Sequence, residues 1–446
     1  MTTSSDLERR DFLRRLGLAG LVLAVDATGV HRLEAMPAFF AAGDPFQPSV
    51  HLSIGEDGLV TVICHRSEMG QGIRTGLCMV VADELEADWT TIRLEQAIGD
   101  PKYGNQNTDG SSSIRTGEYE RLRQAGAAAR QMLEQSAAAQ WGVPASAVTA
   151  RNGAVVHAAT NRSLPFGKLV ARARTLPVPA APRLKDASQF RFIGKDVAGL
   201  DLHDILTGRA IFGQDAKLPG MKIAVILHPP VYGASVASVD SAAALQVKGV
   251  ERVVTLATTP IPSGFQPLGG VAVSATSTWA ALQGRRALKV TWTASPNDTH
   301  ESAAYRTQLE ASARAPGRIA RSQGDVTAAL SAAAKTVTAE YYAPHLAHAP
   351  MEPPAAVASV TADGCECWAC TQDPQTARNE VAAALKIPKE KVICHVTLLG
   401  GAFGRKSKPD YVVEAALLSK EMQAPVKVVW TREDDIQNGF PHTIAF

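Results

Sequence analysis

The stretch that decides the fold is Val396–Lys420, which reads VTLLGGAFGRKSKPDYVVEAALLSK. It begins as an apolar strand, passes through a loop that contains Gly400, Gly401 and Gly404, and continues into a helix. Glycines at that density let the backbone approach a ligand closely, and free N–H groups there can hold anionic or keto oxygens. A purely structural turn is an equally good interpretation of this loop alone, so other segments must decide.

Three further segments could bind a ligand. Glu68–Gly72 (EMGQG) lies between a strand and a helix, where the Gln amide is presented near a helix N-terminus that favours phosphate. Thr108–Ser113 (TDGSSS) precedes an Ala-rich helix, and its hydroxyls and amides could cradle a pyrophosphate. Thr371–Gln375 (TQDPQ) is a strand-to-helix turn in which Asp373 could simply cap the helix. A lone Gly-Gln-Gly is a weak signal, and serine-rich loops are mostly only loops.

Composition and charge exclude several classes of protein. A length of 446 residues suggests about three domains, at about 150 residues per domain. Hydrophobic residues make up 46% and charged residues 20%, as in ordinary globular proteins. The balance of 45 Lys and Arg against 43 Asp and Glu argues against nucleic acid or an anionic membrane as the main partner. Six cysteines give neither a disulfide scaffold nor an obvious zinc framework.

Hydrophobic periodicity predicts strands and helices along the whole chain. Helices are predicted over 75–86, 124–140 and 376–385. Strands are predicted on both sides of the turn 55–58 and in the runs VTAEYYAP, KVICHVTLL and VKVVW of 337–430. A Pro- and Ala-rich stretch at 176–182 is the best candidate for a linker. Strands that alternate with helices favour an α/β or α+β fold.

The first residues are typical of an export signal. The run Arg9-Arg10-Asp11-Phe12-Leu13 is followed by the apolar run Leu16–Val25, which is too short to span a bilayer but suits a signal peptide. Paired arginines before Asp-Phe-Leu resemble the twin-arginine signal, although an ordinary amphipathic helix is the alternative. We therefore expect a periplasmic protein, either free or membrane-associated. The nearest candidate for a cleavage site is Ala38–Gly43.

Together these segments resemble the molybdopterin-binding subunit of the xanthine dehydrogenase family, and most closely its isoquinoline 1-oxidoreductase beta-subunit branch. The runs TGRAIFGQDAKLPGM, PLGGVAVSATSTWAALQGRRALKV, HLAHAPMEPPAA and TQDPQTAR also carry the resemblance. In most of that family the Gly-Gln-Gly segment follows the glycine-phenylalanine loop. Here it comes first, which is the order typical of the isoquinoline-type branch.

The resemblance implies an α+β architecture, a mixed multidomain molybdenum hydroxylase large-subunit fold with a small α/β hammerhead domain. The expected divisions are a signal and linker at 1–47, an N-terminal molybdopterin-binding domain with the permuted Gly-Gln-Gly segment at 48–175, a linker at 176–206, the hammerhead domain at 207–295, and the first part of another molybdopterin-binding domain at 296–446.

The resemblance further implies molybdopterin with molybdenum, in the cytosine dinucleotide form, that hydroxylates aldehydes or N-heteroaromatic compounds with oxygen from water. No protein residue is expected to ligate the metal. The implied cofactor-binding residues are Gly70, Gln71, Gly72, Ser111, Ser112, Ser113, Gln372, Gly400, Gly401, Phe403, Gly404 and Arg405. Phe403 and Ser407 would line the substrate pocket. Ser407 stands where purine-oxidising relatives carry a glutamate, and its neutral hydroxyl argues against purine as the substrate.

The implied partners are a small [2Fe–2S] subunit and a downstream electron acceptor such as a cytochrome c, with a small-molecule substrate and no nucleic acid. No iron–sulfur cluster is expected in this chain. Such a cluster needs four thiolates, whereas Cys365, Cys367 and Cys370 offer three on a predicted strand. Alternating strand faces also separate Cys367 from Cys370.

The family's glutamate base is expected beyond Phe446, because no Gly-x-Gly-Glu-like segment stands near this terminus. Glu352 and Glu414 are the obvious substitutes, but Glu352, which has no assigned role, lies beside prolines and Glu414 lies on a helix beyond the glycine loop. We therefore expect a C-terminally truncated or split large subunit that is inactive by itself. The alternative, from another class, is a non-catalytic cofactor-binding or assembly protein, or an inactive fragment of the same family.

Overall fold

The computed structural model describes residues 23–26, 29–32 and 46–446. Strands β1 (Leu23–Asp26) and β2 (Gly29–Arg32) pair antiparallel. The predicted arginine pair and the candidate cleavage site lie outside the described residues, so export stays a prediction. Among the helices that the structure describes, none is long and apolar enough to cross a membrane.

The N-terminal body joins a four-stranded sheet to two long helices. The sheet has the order β3 (Phe46–Ser49), β4 (Leu52–Ile54), β5 (Val60–Cys64) and β6 (Ile92–Gln96). The chain between the parallel strands β5 and β6 forms helix α1 (Ile73–Leu85). A single turn (Ser111–Ser113) and a wide turn (Ile114–Glu118) lead into α2 (Tyr119–Trp141).

Helices α1 and α2 pack closely because their apolar residues recur at helical spacing and meet at a glycine. Leu77, Val81 and Leu85 of α1 are buried in one cluster with Leu122 of α2. A Cβ on Gly126 of α2 would lie 2.8 Å from the carbonyl oxygen of Val81. Only glycine therefore permits this approach. A small antiparallel sheet and a short helix follow: β7 (Thr149–Arg151), β8 (Ala154–His157), β9 (Arg162–Pro165) and α3 (Val170–Ala173).

The predicted linker is bound to α1. The carboxylate of Asp83 accepts hydrogen bonds from the backbone N–H groups of residues 191–193, and the Lys185 ammonium lies 2.9 Å from Asp83 Oδ1. Helix α4 (Leu202–Thr207) ends this stretch.

The rest of the chain is organised around a seven-stranded mixed sheet. Its order is β12 (Val250–Leu256), β13 (Gly270–Ala275), β10 (Lys222–Leu227), β18 (Val426–Val429), β15 (Ala355–Val360), β16 (Cys365–Ala369) and β17 (Val392–Val396). Strands β11 (Val236–Asp240) and β14 (Lys289–Trp292) form a separate pair. The helices are α5 (Ala242–Leu245), α6 (Thr278–Ala287), α7 (Ser302–Arg314), α8 (Val326–Ser331), α9 (Pro374–Leu385), α10 (Asp410–Met422) and α11 (Arg432–Asn438). The sheet thus joins the segments 207–295 and 296–446, whose boundaries remain predictions.

The mixed fold of helices and sheets is confirmed, but one predicted strand is wrong. VTAEYYAP, residues 337–344, forms no strand beyond a single bridge between Ala343 and Ala445. Val337 and Tyr341 are 83% and 82% exposed there. Their β-propensity is not matched by a neighbouring strand in the described chain, and an unpaired strand leaves its backbone groups without partners. Within the described part, no residue of the exposed segment 301–349 is buried.

Candidate functional site

Gln372 joins two loops that are far apart in the sequence. Its side chain is 2% exposed, its Nε2 donates to the carbonyl of Thr108 at 2.6 Å, and its Oε1 accepts from the N–H of Gly404 at 2.9 Å. Its backbone N–H donates to Lys406 at 3.0 Å, and its carbonyl accepts from the N–H of Thr108 at 2.9 Å. We call these four contacts the Gln372 bridge. The bridge holds the serine-rich loop against the glycine loop.

The start of helix α1 is occupied by a carboxylate of the chain itself. Glu68 Oε1 accepts hydrogen bonds from the N–H groups of Gly70 and Gly72, both at 2.9 Å, and Oε2 accepts from Arg74 N at 3.1 Å. A carboxylate at this position is stabilised by the partial positive charge of the helix N-terminus. The interpretation of this helix start as a place for phosphate is therefore wrong.

Gln71 is also engaged locally, although it is exposed. Its Oε1 accepts from Met69 N at 2.7 Å and its Nε2 donates to the Ser67 carbonyl at 3.0 Å. Of the two Nε2 protons, one remains for a ligand. Gly70 and Gly72 have φ values of 100° and 78°, and a Cβ on either would meet nothing within 4 Å. The space beside their Cα atoms is therefore open to a ligand, although their N–H groups are bound to Glu68.

The segment Met69–Gly72 lies between two cavities. The first, of about 610 Å³, is bounded on its other side by Ser111, Ile114 and Arg115. The second, of about 440 Å³, is bounded by residues 398–401 of the glycine loop. Pockets for small ligands typically measure about 300–1,000 Å³. Three of the four segments selected from the sequence thus border one or both of these two cavities.

Not every predicted site residue lines these cavities. Those that do are Gly70, Gln71, Gly72, Ser111, Gly400 and Gly401. Ser112, Ser113, Gln372, Phe403, Gly404, Arg405 and Ser407 lie around them without lining either. Gln372 in particular acts on the loops, through its bridge.

The first cavity carries positive charge. Arg66 is 2% exposed and its Nη1 donates to the carbonyls of Asn105 and Asn107, at 2.6 and 2.8 Å. Its Nε is buried and has no hydrogen-bond partner among the residues that the structure describes. The exposed Arg115 lines the same cavity. Two guanidinium groups and a vacant buried donor suit an anionic ligand.

Hydrogen bonds to the Glu352 carboxylate hold the glycine loop in position. Its Oε2 accepts from Gly400 N at 3.0 Å and from the buried Lys406 ammonium at 2.9 Å, and its Oε1 accepts from Gln214 N at 3.0 Å. A Cβ on Gly400 would lie 2.6 Å from Glu352 Cβ, so the loop needs glycine there. Glu352, to which the sequence assigns no role, therefore has a structural one.

The second half of the loop has one exposed aromatic and two anchored polar side chains. Phe403 is 68% exposed, with a φ of 56° that is uncommon outside glycine. Arg405 is 2% exposed and binds Asp410 through both terminal nitrogens, at 2.9 and 3.0 Å. Ser407 Oγ donates to Asn107 Oδ1 at 3.0 Å. The Arg405 side chain is thus buried with Asp410, and Ser407 adds a link to Asn107, the residue just before the serine-rich loop.

Glu414, the other candidate for the base, is part of a buried cluster. It accepts from His228 at 2.8 Å and from Trp430 Nε1 at 2.9 Å. Burial raises the pKa of Glu414, against the opposing effect of His228. Glu352 and Glu414, the two candidates for a base, are therefore both bound by donors of the protein.

The cysteines are all buried with free thiols. Cys365 and Cys367 lie with their sulfurs 3.6 Å apart, and the Cys370 thiol donates to the carbonyl of Ala355 at 3.3 Å. Burial raises the pKa of Cys370 to about 11, which favours the thiol over the metal-binding thiolate. The expectation of no iron–sulfur cluster stays a prediction.

Sequence reasoning missed Arg66 and Ser67 as site residues, and it gave Glu68 no role beyond its place in the Gly-Gln-Gly segment. Ser67 Oγ donates to the Thr371 carbonyl at 2.8 Å, and Ser67 N donates to Thr108 Oγ1 at 2.9 Å. All three lie in the run just after β5 and His65, and all are buried. A polar run immediately after an apolar strand was the signal that could have identified them.

Comparison with known proteins agrees with this arrangement. Models of a molybdopterin cofactor-binding domain match residues 13–201 and 311–442. The beta subunit of isoquinoline 1-oxidoreductase from Brevundimonas diminuta is 32% identical over 98% of this chain. A membrane-bound aldehyde dehydrogenase (pyrroloquinoline-quinone) from Gluconacetobacter polyoxogenes is 33% identical over 97% of this chain. A nicotinate dehydrogenase subunit from Pseudomonas putida is 27% identical over 87% of it.

The chain spans only part of each relative, 61%, 56% and 32% of their lengths respectively. The two matched domains contain the Gly-Gln-Gly segment, the serine-rich loop, Gln372 and the glycine loop. The chain therefore belongs to the molybdopterin-binding subunits of the xanthine dehydrogenase family.

Proposed function

We propose that this chain holds the cofactor of a molybdenum hydroxylase in the two cavities beside Met69–Gly72. The observation that carries the proposal is the position of this segment, with the serine-rich loop across one cavity and the glycine loop across the other. A long ligand with a ring system at one end and a nucleotide at the other needs two adjoining spaces of this kind.

The residues present suit such a ligand. Arg66, whose buried Nε lacks a partner in the described chain, and Arg115 would hold its phosphate groups. The open backbone at Gly70 and Gly72 would let the ligand pass from one cavity to the other. The cytosine dinucleotide form is our specific proposal for the tail.

When bound, the cofactor supplies a two-electron oxidation in which a carbon centre gains oxygen from water. The chain's own residues orient the bound molecules and enclose them. Gln372 fixes Gly404 relative to Thr108, and the exposed ring of Phe403 offers an aromatic face to a planar substrate. Ser407, a neutral hydroxyl bound to Asn107, brings no charge to the loop. Aldehydes and N-heteroaromatic compounds, which the relatives' names include, are the proposed substrates.

Electrons from the substrate must leave this chain. We propose a small [2Fe–2S] subunit as the first acceptor and a protein such as a cytochrome c after it. Two of the relatives are named as subunits, which supports assembly with another chain. Export to the periplasm is proposed from Arg9-Arg10-Asp11-Phe12-Leu13 alone.

The test is cofactor content in a host that makes molybdopterin. Molybdenum is measured by plasma mass spectrometry, and cytidine monophosphate is measured after acid hydrolysis of the purified protein. Replacing Arg115→Gln is expected to lower both about 10-fold, since one charge-assisted phosphate contact is worth roughly 1.5–3 kcal/mol. Arg93→Gln, at an exposed arginine of β6 away from both cavities, is the matched control.

Equal cofactor content in the two variants, or none in the parent protein, would overturn the proposal. Dye-linked oxidation of benzaldehyde and of quinoline is measured on the same samples. Retained cofactor without oxidation by the full complex would favour the non-catalytic binding role.

A further inference from the structure

A second cluster of ligand-type side chains lies on the other side of the wide turn. His51 immediately precedes β4, His65 immediately follows β5, and Glu118 is the last residue of the turn before α2. One nitrogen of each imidazole and one carboxylate oxygen lie within 4.8 Å of one another. The two imidazole rings are 4.6 Å apart at their centroids. Antiparallel pairing of β4 with β5 brings the two histidines together.

His65 and Glu118 are buried and His51 is half-buried, and the histidines lack the partners that buried polar atoms normally have. His65 is 1% exposed, and both of its ring nitrogens are without a hydrogen bond to any described residue, as is Nδ1 of His51. The nearest approach is from His65 Nε2 to Glu118 Oε2, at 3.3 Å. Unpaired buried polar atoms are rare in folded proteins and point to a partner outside the chain. One nitrogen of each histidine thus lies close to the same carboxylate oxygen.

We propose that His51, His65 and Glu118 bind one divalent transition-metal ion, with zinc as the expected ion. Two imidazoles and one carboxylate are a ligand set that zinc uses, at about 2.0–2.2 Å from each ligand atom. Tetrahedral ligands at that radius lie about 3.3 Å apart, so small side-chain movements would close the present spacing. A cavity of about 200 Å³, lined by His51, Tyr103 and Glu118, leaves room for a water as the fourth ligand.

A neighbouring arginine orients the Glu118 carboxylate for binding the proposed ion. Arg121 Nη1 donates to Glu118 Oε1 at 3.0 Å, which leaves Oε2 to face His65 and the ion. Hydrogen bonds of this kind to the non-ligating oxygen orient a ligand and tune its basicity.

The site is separate from the two cavities of the proposed cofactor. Ile114 and Arg115 of the wide turn line the first of those cavities, whereas Glu118, one helical turn later, faces the histidines. A metal here would fix the wide turn to β5. The inference thus concerns a different ion in a different place, and its test needs no molybdenum.

The test uses the purified 446-residue chain, stripped with a chelator and titrated with Zn²⁺ against a chromophoric competitor. We expect about one equivalent bound, and Co²⁺ in its place should show the intense visible bands of a low-coordinate nitrogen and oxygen site. His51→Ala and Glu118→Gln should each weaken zinc binding by at least about 100-fold, beyond the 10–100-fold typical of losing an outer partner.

His395→Ala is the matched control, because His395 and Glu366 form an exposed pair at 2.9 Å without a third ligand in the described chain. It should leave zinc affinity within about twofold of the parent, since an exposed pair is not a complete ligand set. Glu118→Gln keeps the shape of the side chain, and circular dichroism of the metal-free variants shows whether they fold.

A parent protein that binds Zn²⁺ no more tightly than folded Glu118→Gln would overturn the proposal. So would a Co²⁺ spectrum identical to that of the hydrated ion. Either result would make His65 and Glu118 a structural pair only.

Discussion

Two arginine–carboxylate pairs of this chain have the same hydrogen-bond lengths in opposite surroundings. Arg405 binds both oxygens of Asp410 at 2.9 and 3.0 Å, and Arg314 binds both oxygens of Glu340 at 2.9 and 3.0 Å. The side chains of the first pair are each 1% exposed, whereas those of the second are 56% and 54% exposed. Equal hydrogen-bond lengths therefore do not imply equal energetic weight, which depends on how much water surrounds the charges.

The two pairs also differ in what they hold. Arg405 directly follows Gly404 of the glycine loop and Asp410 begins α10, so their contact closes the turn between the loop and the helix. The Arg405 guanidinium also lies 4.8 Å from the centre of the Trp430 ring. The exposed pair joins the end of α7 to residue 340, inside the exposed segment 301–349. The buried pair positions the candidate site, and the exposed pair positions only its own segment.

The largest expected effect is that of breaking the buried pair. Asp410→Ala leaves Arg405 charged, buried and without its carboxylate, which should lower the free energy of unfolding by about 3–5 kcal/mol. Urea denaturation followed by tryptophan fluorescence measures the loss. The double variant Arg405→Met, Asp410→Leu should recover more than half of it, because no unpaired charge remains. A loss below about 1 kcal/mol for Asp410→Ala would mean that water reaches this pair.

The next effect in size concerns the Gln372 bridge. Gln372→Ala leaves the N–H of Gly404 and the carbonyl of Thr108 unpaired beside a small void, at a cost of about 1–3 kcal/mol. It should also lower the molybdenum content, since the two loops lose their common anchor. Gln375→Ala is the control, because the half-buried Gln375 makes a similar contact outside the bridge, from its Nε2 to the Gly104 carbonyl at 2.9 Å. Equal losses of stability and cofactor in both variants would contradict the special role of the buried amide.

A smaller effect should appear at low pH. Burial raises the pKa of Asp83, but hydrogen bonds from the backbone of residues 191–193 and from Lys185 outweigh it, so the pKa lies below its ordinary value of 3.8. A carboxyl with a lowered pKa stabilises the fold above its unfolded pKa, and the stabilisation is lost as the pH falls through the folded value. The melting temperature should therefore fall steeply below about pH 4. Asp83→Asn should flatten that part of the profile, and an unchanged profile would remove Asp83 as its cause.

The comparison also explains what the sequence could predict. Helices α1, α2 and α9 and the strand–loop–helix unit around Gly400 follow from neighbouring residues, because periodicity and glycine act locally. The partners of buried polar groups do not follow from neighbouring residues. Gln372 and Thr108, for example, are 264 positions apart. The strand predicted at VTAEYYAP failed for the same reason, because β-propensity does not reveal whether a partner strand lies alongside.

The roles of two carboxylates show the same limit. The sequence marks Glu68 only as part of the Gly-Gln-Gly segment, and the structure shows that it occupies the helix start that the sequence assigns to a ligand. Glu352 stands out in the sequence as a candidate base, but its partners Lys406 and Gln214 are distant along the chain. Charge alone predicts that a buried carboxylate has a partner, and only the fold identifies it.

The smallest expected effect is that of breaking the exposed pair. Glu340→Ala should leave the melting temperature unchanged within error at physiological salt, because water and ions screen Arg314 before and after the change. A hydrogen bond and the charge of Arg314 hold the pKa of Glu340 below its usual range. Nuclear magnetic resonance titration should show this pKa rising towards its ordinary value in concentrated salt, whereas that of Asp83, set by backbone hydrogen bonds, should move less. If Glu340→Ala instead destabilised the chain as much as Asp410→Ala, burial would not be what separates the two pairs, and the exposed segment would owe its position to this contact.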